Sequence, residues 1–405
     1  MRAGSEQDAF EPIVRGVAQS GVRVANERAV LTLIAGRPGL SNADIARLSG
    51  LGPQTTARIL AELEARDLVM RGNVLRGRRG QPATPYRLNA NAAFAFGVEI
   101  GWDHIEVLLQ NLAGQPLAVV RRPHAFADPR LVFAQVAAEM STLMAGLTAH
   151  QRQRLIGIGV TTPGVFGPLL EHLGGDAEIV AAWAETDIAA RLAAETGLPA
   201  VWVNDGSAAA WCEMTLHPRP RPSGLASFFI GTFVGGGLVS AGQLLEGPRG
   251  NAADLGAIVV SDLAGRPGYL HLLASRHALA RRLAEAGHAP AAETRLGDWS
   301  APEIHVAPWL DQAGHALAQA ILTTSAVGEI DVAVINGDLP APLLARLVDS
   351  TERHLRALPL LVPRLPLVQA GRAGPSAPVL GAARLLLFRR FFSRAWDLFR
   401  AEPEK

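Results

Sequence analysis

Apolar positions recur at helical spacing from Glu27 to Ala35 (ERAVLTLIA), and Gly36-Arg37-Pro38-Gly39 breaks the pattern. Ser41 is placed as an N-cap with Asp44 three residues on, so a second helix runs through Ile45, Ala46 and Leu48. Gly50-Leu51-Gly52 predicts a tight turn. Pro53 suits the first position of a third helix that buries Thr56, Ile59, Leu60 and Leu63. Leu68-Val69-Met70 and Tyr86-Arg87-Leu88 then read as short strands flanking the Gly- and Arg-rich stretch 71–80 (RGNVLRGRRG). From Phe94 the period becomes that of strands: Phe96–Ile100, Ile105–Leu109 and Leu117–Val120, with turns at Gly101-Trp102 and Ala113-Gly114. A helix capped by Asp128, a strand Leu155–Val160, a helix around Asp187–Thr196 and a strand Ala200–Val203 follow. Phe228–Ile230, a Gly-rich turn Gly231–Gly237 and Leu238–Ala241 open a second round of the same order. A βββαβα order met twice predicts two related α/β lobes with a ligand cleft between them.

Spacing gives the first segment its chemistry. Ala46, Gly50 and Leu51 supply the small residue, the left-handed turn and the apolar plug of a helix-turn-helix. The third helix then enters the DNA major groove, and the Arg-rich hairpin is its wing. Candidate DNA contacts are Ser41, Gln54, Thr55, Thr56 and Arg58, with Arg78 and Arg79 on the wing. These types read base edges or hold phosphates. A protein-interaction module built on the same three helices is the alternative. The layout expected is an N-terminal arm 1–22, a winged helix-turn-helix 23–90, a first lobe 91–205 joined by a C-terminal helix at about 378–399, and a second lobe 206–377.

Composition narrows the picture. The chain has 405 residues, 49% of them hydrophobic and 19% charged, enough apolar material for full cores. One cysteine, Cys212, cannot form an internal disulfide or a Cys-rich zinc site, so a reducing, cytoplasmic setting is expected. The first ten residues lack the apolar stretch of a secretory signal, and no apolar run is long enough to predict a membrane span. The formal net charge of +1 conceals an asymmetry: residues 1–88 hold 13 Arg against 8 Asp or Glu, and the remainder is acidic. A basic head fits a polyanion partner. The stretch Ala382–Leu398, with Arg384, Arg389, Arg390 and Arg394, is amphipathic and is expected to pack on the first lobe rather than on a membrane.

The order of helix-turn-helix, GRRGQP, FGVEIG, IGIGVTTPG, VNDGSAAAWCE, IGTFVGGGLVSAGQLLEG and VLGAA resembles the ROK family (repressors, open reading frames and sugar kinases), from about Asn26 to Ala383. The match is similar to the family's N-acetylglucosamine and xylose repressors. The resemblance implies an α/β body that is actin-like, sugar-kinase-like and ribonuclease H-like, a sugar-type effector, and a homodimer or homotetramer. It also implies where the kinases of the family do their chemistry. Their Asp-Ile-Gly-Gly-Thr loop is Glu99-Ile100-Gly101-Trp102-Asp103 here, and their Gly-Thr-Gly loop is Gly231-Thr232-Phe233. Trp102 and Phe233 add bulk where amides should meet phosphates. Asp103 adds like charge, at a cost of a few kcal/mol for an effective dielectric of about 20. Asp205 matches the kinases' general base. The family's sugar ligands fall on Asn204, Asp205, Asp254 (usually Glu), Ala257 (usually His) and His271 (usually Glu), so the candidate ligand set is Asn204, Asp205, Asp254 and His271. The family's zinc histidine is Ala257, and its cysteine region, 264–271, has no thiol. Trp183 matches a family Trp near the cleft and is expected to serve packing.

The resulting expectation is a cytoplasmic DNA-binding regulator, a repressor of carbohydrate-related genes, without catalytic residues, cofactor or metal. Its partners would be a double-stranded DNA operator and a small carbohydrate-like effector. The alternatives are an active ATP-dependent sugar kinase with an appended DNA-binding head, and a constitutive scaffold with no effector.

Overall fold

The computed structural model describes residues 19–73, 84–164, 166, 169–170, 172–288, 302–359 and 364–393. These fall into two compact units, one reaching Asn89 and rejoined by Phe391–Ser393, the other Ala90–Arg390.

The first unit contains helices α1 (Gln19–Gly36), α2 (Asn42–Ser49) and α3 (Pro53–Ala65) and the antiparallel strands β1 (Val69–Arg71) and β2 (Tyr86–Leu88). Helix α1 starts earlier than its apolar run, inside the stretch expected as an arm. Ser41 and Asp44 form a reciprocal capping box that satisfies two free N–H groups of α2. Gly50 ends α2 in the left-handed conformation (φ 69°), where a Cβ would be strained. Pro53 opens α3. Val30, Ile34, Ile45, Ile59, Leu60, Leu63 and Val69 are each at most 1% exposed and form the core. Ser393 N–H donates to Thr32 Oγ1 of α1.

The second unit contains two five-stranded sheets of one design. The first has order β5-β4-β3-β6-β7. Its strands are β3 (Phe94–Ile100), β4 (His104–Asn111), β5 (Pro116–Pro123), β6 (Leu155–Thr162) and β7 (Ala200–Asn204), with helices α4 (Pro129–Ala145), α5 (Ala149–Arg152), α6 (Ala177–Glu185) and α7 (Ile188–Thr196) in the crossovers. Every residue of β3 and β4 is buried, as strands covered on both faces must be. The second half runs α8 (Asp205–Leu216), β8 (Gly224–Ile230), β9 (Val234–Ser240), β10 (Gln243–Leu244), β11 (Val259–Ser261), β12 (Pro267–Tyr269), α9 (Leu270–Ala274), α10 (Arg276–Glu285), α11 (Glu303–Gly328), β13 (Val332–Gly337), α12 (Ala341–Ala357), β14 (Leu367–Ala370) and α13 (Ala377–Phe391). Its large sheet has order β10-β9-β8-β13-β14, with the same antiparallel hairpin beside two parallel strands.

The Gly-rich stretch 231–237 is not all turn. Residues 235–237 belong to β9, because they must lie flat under the start of α8. A Cβ on Gly206 would stand 2.2 Å from the Gly236 backbone. Helix α13 makes similarly close contacts. A Cβ on Gly97 would meet the Val379 carbonyl at 2.2 Å, and one on Gly381 the Ala208 carbonyl at 1.8 Å. Val203, Ala208, Trp211 and Met214 pack with Val332, Val334, Ala382 and Leu385, so α8 and α13 share a core with strands of both sheets. Helix α13 is buried along much of its length, and Arg384 donates to Thr215 Oγ1 and the Gly114 carbonyl. Arg389 pairs with Glu246. Arg394 lies outside the described residues. No described helix is long and apolar enough to cross a membrane.

Candidate nucleic-acid interface and interlobe cleft

On α3, Gln54, Ala57, Arg58, Ala61 and Ala65 are exposed. At about 100° per residue they form one stripe. Gln54 and Arg58 sit one turn apart on it, and Ala57, Ala61 and Ala65 fill the rest of the stripe with small side chains that let the helix approach a surface closely. Thr55 is half-buried at the edge of the stripe. Thr56, expected among the DNA contacts, is 0% exposed, and its hydroxyl donates to the Gly52 carbonyl. Lying about 200° round the helix from Gln54, it faces the core and cannot touch DNA. Ser41 is half-buried and occupied in its capping box. Arg78 and Arg79 lie outside the described residues.

Arg58 is 2.9 Å from Glu62, which is 3.0 Å from Arg23. Arg23 in turn pairs with Glu27, which Arg66 also holds. Burial pushes the Glu27 carboxyl up, but hydrogen bonds from Arg66 and Arg23 outweigh it and keep the carboxyl below its ordinary range. This chain of charges ties α1 to α3 beside the outward stripe.

The second unit has a cavity of about 30 Å³ lined by Glu99, Trp102, His104, Arg121, Asp205 and Phe233, among others. That is room for one or two waters, whereas small-molecule pockets run to about 300 Å³ or more. Trp102 and Phe233, from the two loops expected to differ from the family's phosphate loops, both line the cavity. Trp102 and Phe233 meet edge-on at 5.1 Å, and Phe166 meets Trp102 at the same distance. Phe166 then stacks on Trp183 at 4.5 Å. Trp183 is 7% exposed and donates from Nε1 to the Ala127 carbonyl, so it packs, as expected.

Charges close the same place. Arg121 of β5 and Arg276 of α10 both hold Asp338, at 3.1 and 2.7 Å. Asp103 sits 2.7 Å from His104 and 3.7 Å from Arg276. Burial would raise the Asp103 carboxyl, but His104, Arg276 and Arg121 outweigh it and hold it well below the carboxylate range. Burial would lower His104, but Asp103 and Glu99 outweigh it and lift the imidazole to about 9. The Asp103 charge expected to repel phosphates is therefore already matched by neighbouring cations.

Asn204, Asp205, Asp254 and His271 come from three parts of the chain. Asn204 caps α8 through Oδ1 to Ser207 N, and its Nδ2 donates to Asn251 Oδ1 at 3.2 Å. Asp205, next in line, accepts from Gly206 N at 2.6 Å. Burial, then the charges of Glu99 and Asp254, push the Asp205 carboxyl up to about 7. Asp254 lies 3.6 Å from His271 Nε2, and His271 Nδ1 is buried without a partner. At the family's zinc position Ala257 offers no ligand. The one cysteine, Cys212, is buried within α8 and not in the 264–271 region, so these residues do not fit that ion.

Reading the sequence residue by residue missed Arg121, Arg276 and Asp338, which meet only through the fold. It also passed over Glu106 and gave Glu99 a place only in a loop match, although two acids in otherwise apolar strands were a signal that something inside must answer them.

The chain belongs to the ROK family, whose pattern matches residues 95–388. A winged helix-turn-helix DNA-binding pattern matches residues 25–70. Among relatives, an uncharacterized protein y4fQ of Sinorhizobium fredii is 29% identical over 91% of this chain and 92% of its own. The bifunctional enzyme NanE/NanK of Brucella melitensis is 31% identical over 48% of this chain and 36% of its own. The xylose repressor of Bacillus subtilis is 21% identical over 65% of this chain and 69% of its own. Among solved structures, a ROK family transcriptional regulator, homolog of the E. coli MLC protein, superposes with TM-score 0.66 at 22% identity, covering 91% of this chain and 97% of that one. The chain thus joins a winged helix-turn-helix head to a ROK-family, kinase-like α/β body.

Proposed function

We propose that the protein is a DNA-binding transcriptional repressor of carbohydrate-related genes, whose kinase-like body senses a small sugar-like effector without phosphorylating it. The observation that carries the DNA reading is the outward stripe of α3, where Gln54 and Arg58 stand one turn apart on a helix whose opposite face, Thr56, Ile59, Leu60 and Leu63, is buried in the core of the head. Arg to guanine and Gln to adenine are the base contacts those side chains make. Arg78 and Arg79 on the wing would add phosphate contacts. The effector would meet Asn204, Asp205, Asp254 and His271. The protein would work in the cytoplasm as a homodimer or homotetramer, which pairs the heads on a two-fold operator. The repressor named among its relatives supports this reading. So does the cavity of about 30 Å³ where a kinase needs its nucleotide.

Fluorescence anisotropy with DNA from upstream of the gene tests the head. Arg58→Ala is expected to weaken binding by about 1–3 kcal/mol if the contact is to a base. A phosphate contact would instead lower the salt slope by about 0.9. Unchanged affinity and slope would overturn the placement.

An active sugar kinase with a DNA-binding head is the second reading. One observation favours it: a carboxyl at about 7 is suited to deprotonating a hydroxyl. ATP-dependent turnover on any member of a sugar panel would establish it, and no turnover with effector-dependent DNA release would leave Asp205 a ligand contact.

A further inference from the structure

We propose that Glu99, His104 and Glu106 form a site for a first-row divalent transition-metal ion such as Zn²⁺ or Co²⁺. The strand geometry brings the three together. Glu99 of β3 and Glu106 of β4 are direct partners in antiparallel register, so their side chains leave the same face of the sheet. His104 lies two residues before Glu106 on β4 and therefore shares that face.

Their exposures are 5%, 8% and 1%, and their ligand atoms all lie within 4.8 Å of one another. Among the described residues this is the one group of three such side chains that converges so closely. Glu99 Oε2, His104 Nε2 and Glu106 Oε2 are each buried without a hydrogen-bond partner. Three buried ligand atoms that make no hydrogen bond, with only ion-pair contacts at 3.7 Å around them, are costly to hold together unless something binds them. His104 Nε2 is 3.7 Å from Glu99 Oε1. Ligand atoms around a tetrahedral ion with bonds near 2.0–2.1 Å stand about 3.4 Å apart, so the group needs to close by no more than about 1.5 Å.

The surroundings orient these ligands. Asp103 Oδ1 takes the Nδ1 proton of His104 at 2.7 Å, which turns Nε2 towards the carboxylates. A carboxylate behind a histidine in this way is the usual support for a metal ligand. Ser376 Oγ donates to Glu106 Oε1 at 2.5 Å and leaves Oε2 without a hydrogen bond. One imidazole nitrogen and two carboxylate oxygens suit Zn²⁺, Mn²⁺ or Co²⁺ rather than a soft ion. Glu99 and His104 line the small cavity that also borders Asp205, so a fourth position can hold a water. The rival occupant is internal: Arg121 stands 3.7 Å from Glu106 Oε2, and with a protonated His104 it could balance the two acids alone.

The test uses the full-length, tag-free protein. Co²⁺ titration is followed by visible absorption, and Zn²⁺ content is measured after loading and dialysis. Binding of about one equivalent is expected, with tetrahedral cobalt bands. Glu106→Gln keeps the shape and the Ser376 bond, and it should weaken binding at least about tenfold, as should His104→Gln. Asp103→Asn should weaken it by about 10- to 100-fold through the ligand it orients. His354→Gln, at the His354–Asp311 pair elsewhere, should leave it unchanged. Circular dichroism melts establish that each variant folds. Wild-type protein that retains less than about a tenth of an equivalent would overturn the site, and so would folded Glu106→Gln protein that binds as wild type does.

Discussion

Asp205 illustrates how much a single residue depends on its surroundings. Its carboxyl is held up at about 7 by burial and by the charges of Glu99 and Asp254. The folded protein therefore keeps a proton that the unfolded chain has lost above about pH 4. Stability from this group falls as pH rises from about 4 to 7 and is gone above that. Asp205→Asn is expected to raise the melting temperature at pH 8, reflecting on the order of a few kcal/mol, with the two proteins converging near pH 4. Equal melting temperatures at pH 8 would show that the carboxylate is well solvated. Burial also pushes the Cys212 thiol up to about 12, so the folded protein should not react with a thiol reagent until denatured. At the head, Glu62 holds Arg58 and Arg23. Glu62→Gln should free Arg58 and tighten operator binding, at the cost of a surface ion pair worth about 0–1 kcal/mol.

At the scale of elements, the turns were the most readable part of the chain. Ser41, Gly50 and Pro53 carry their conformational preferences wherever they stand, and the helix-turn-helix follows from them. Gly50→Ala tests this cleanly. No atom lies within 4 Å of the added Cβ, so only the left-handed φ opposes it, and a loss of about 1–2 kcal/mol is expected in head stability. Gly381→Ala fails for another reason: its Cβ would meet the Ala208 carbonyl at 1.8 Å. Overpacking of this kind costs about 1–3 kcal/mol, read by denaturant melts of the body. That difference explains why residues 235–237 read as turn and proved to be strand. A glycine chosen for backbone approach looks, in sequence, like a glycine chosen for a turn. Thr56 drew two readings from the sequence, core by helical phase and DNA contact by polarity, and the structure bears out the phase.

At the scale of the molecule, the body is two sheets of one topology with α8 and α13 between them, and charges bridge the cleft. Asp338 holds both Arg121 and Arg276 at closer range than their other carboxylates, so Asp338→Ala should strip two cations of their nearest partner and loosen the halves. Faster limited proteolysis and a larger radius of gyration in small-angle scattering are the expected readouts; an unchanged profile would assign lobe closure to α8 and α13 alone. The sequence by itself determined the winged head, the doubled α/β order and the bulk that Trp102 and Phe233 bring to two Gly-containing loops. Those rest on periodicity, on turn residues and on the volume of Trp102 and Phe233, all of which are local. Only the tertiary structure decided that these two aromatics touch, that Arg121 and Asp338 pair across 217 positions, and that Glu99 faces Glu106 beside His104. Such meetings depend on strand register and crossover paths, which bring distant residues together through packing of the whole chain and leave no pattern in any short stretch of it.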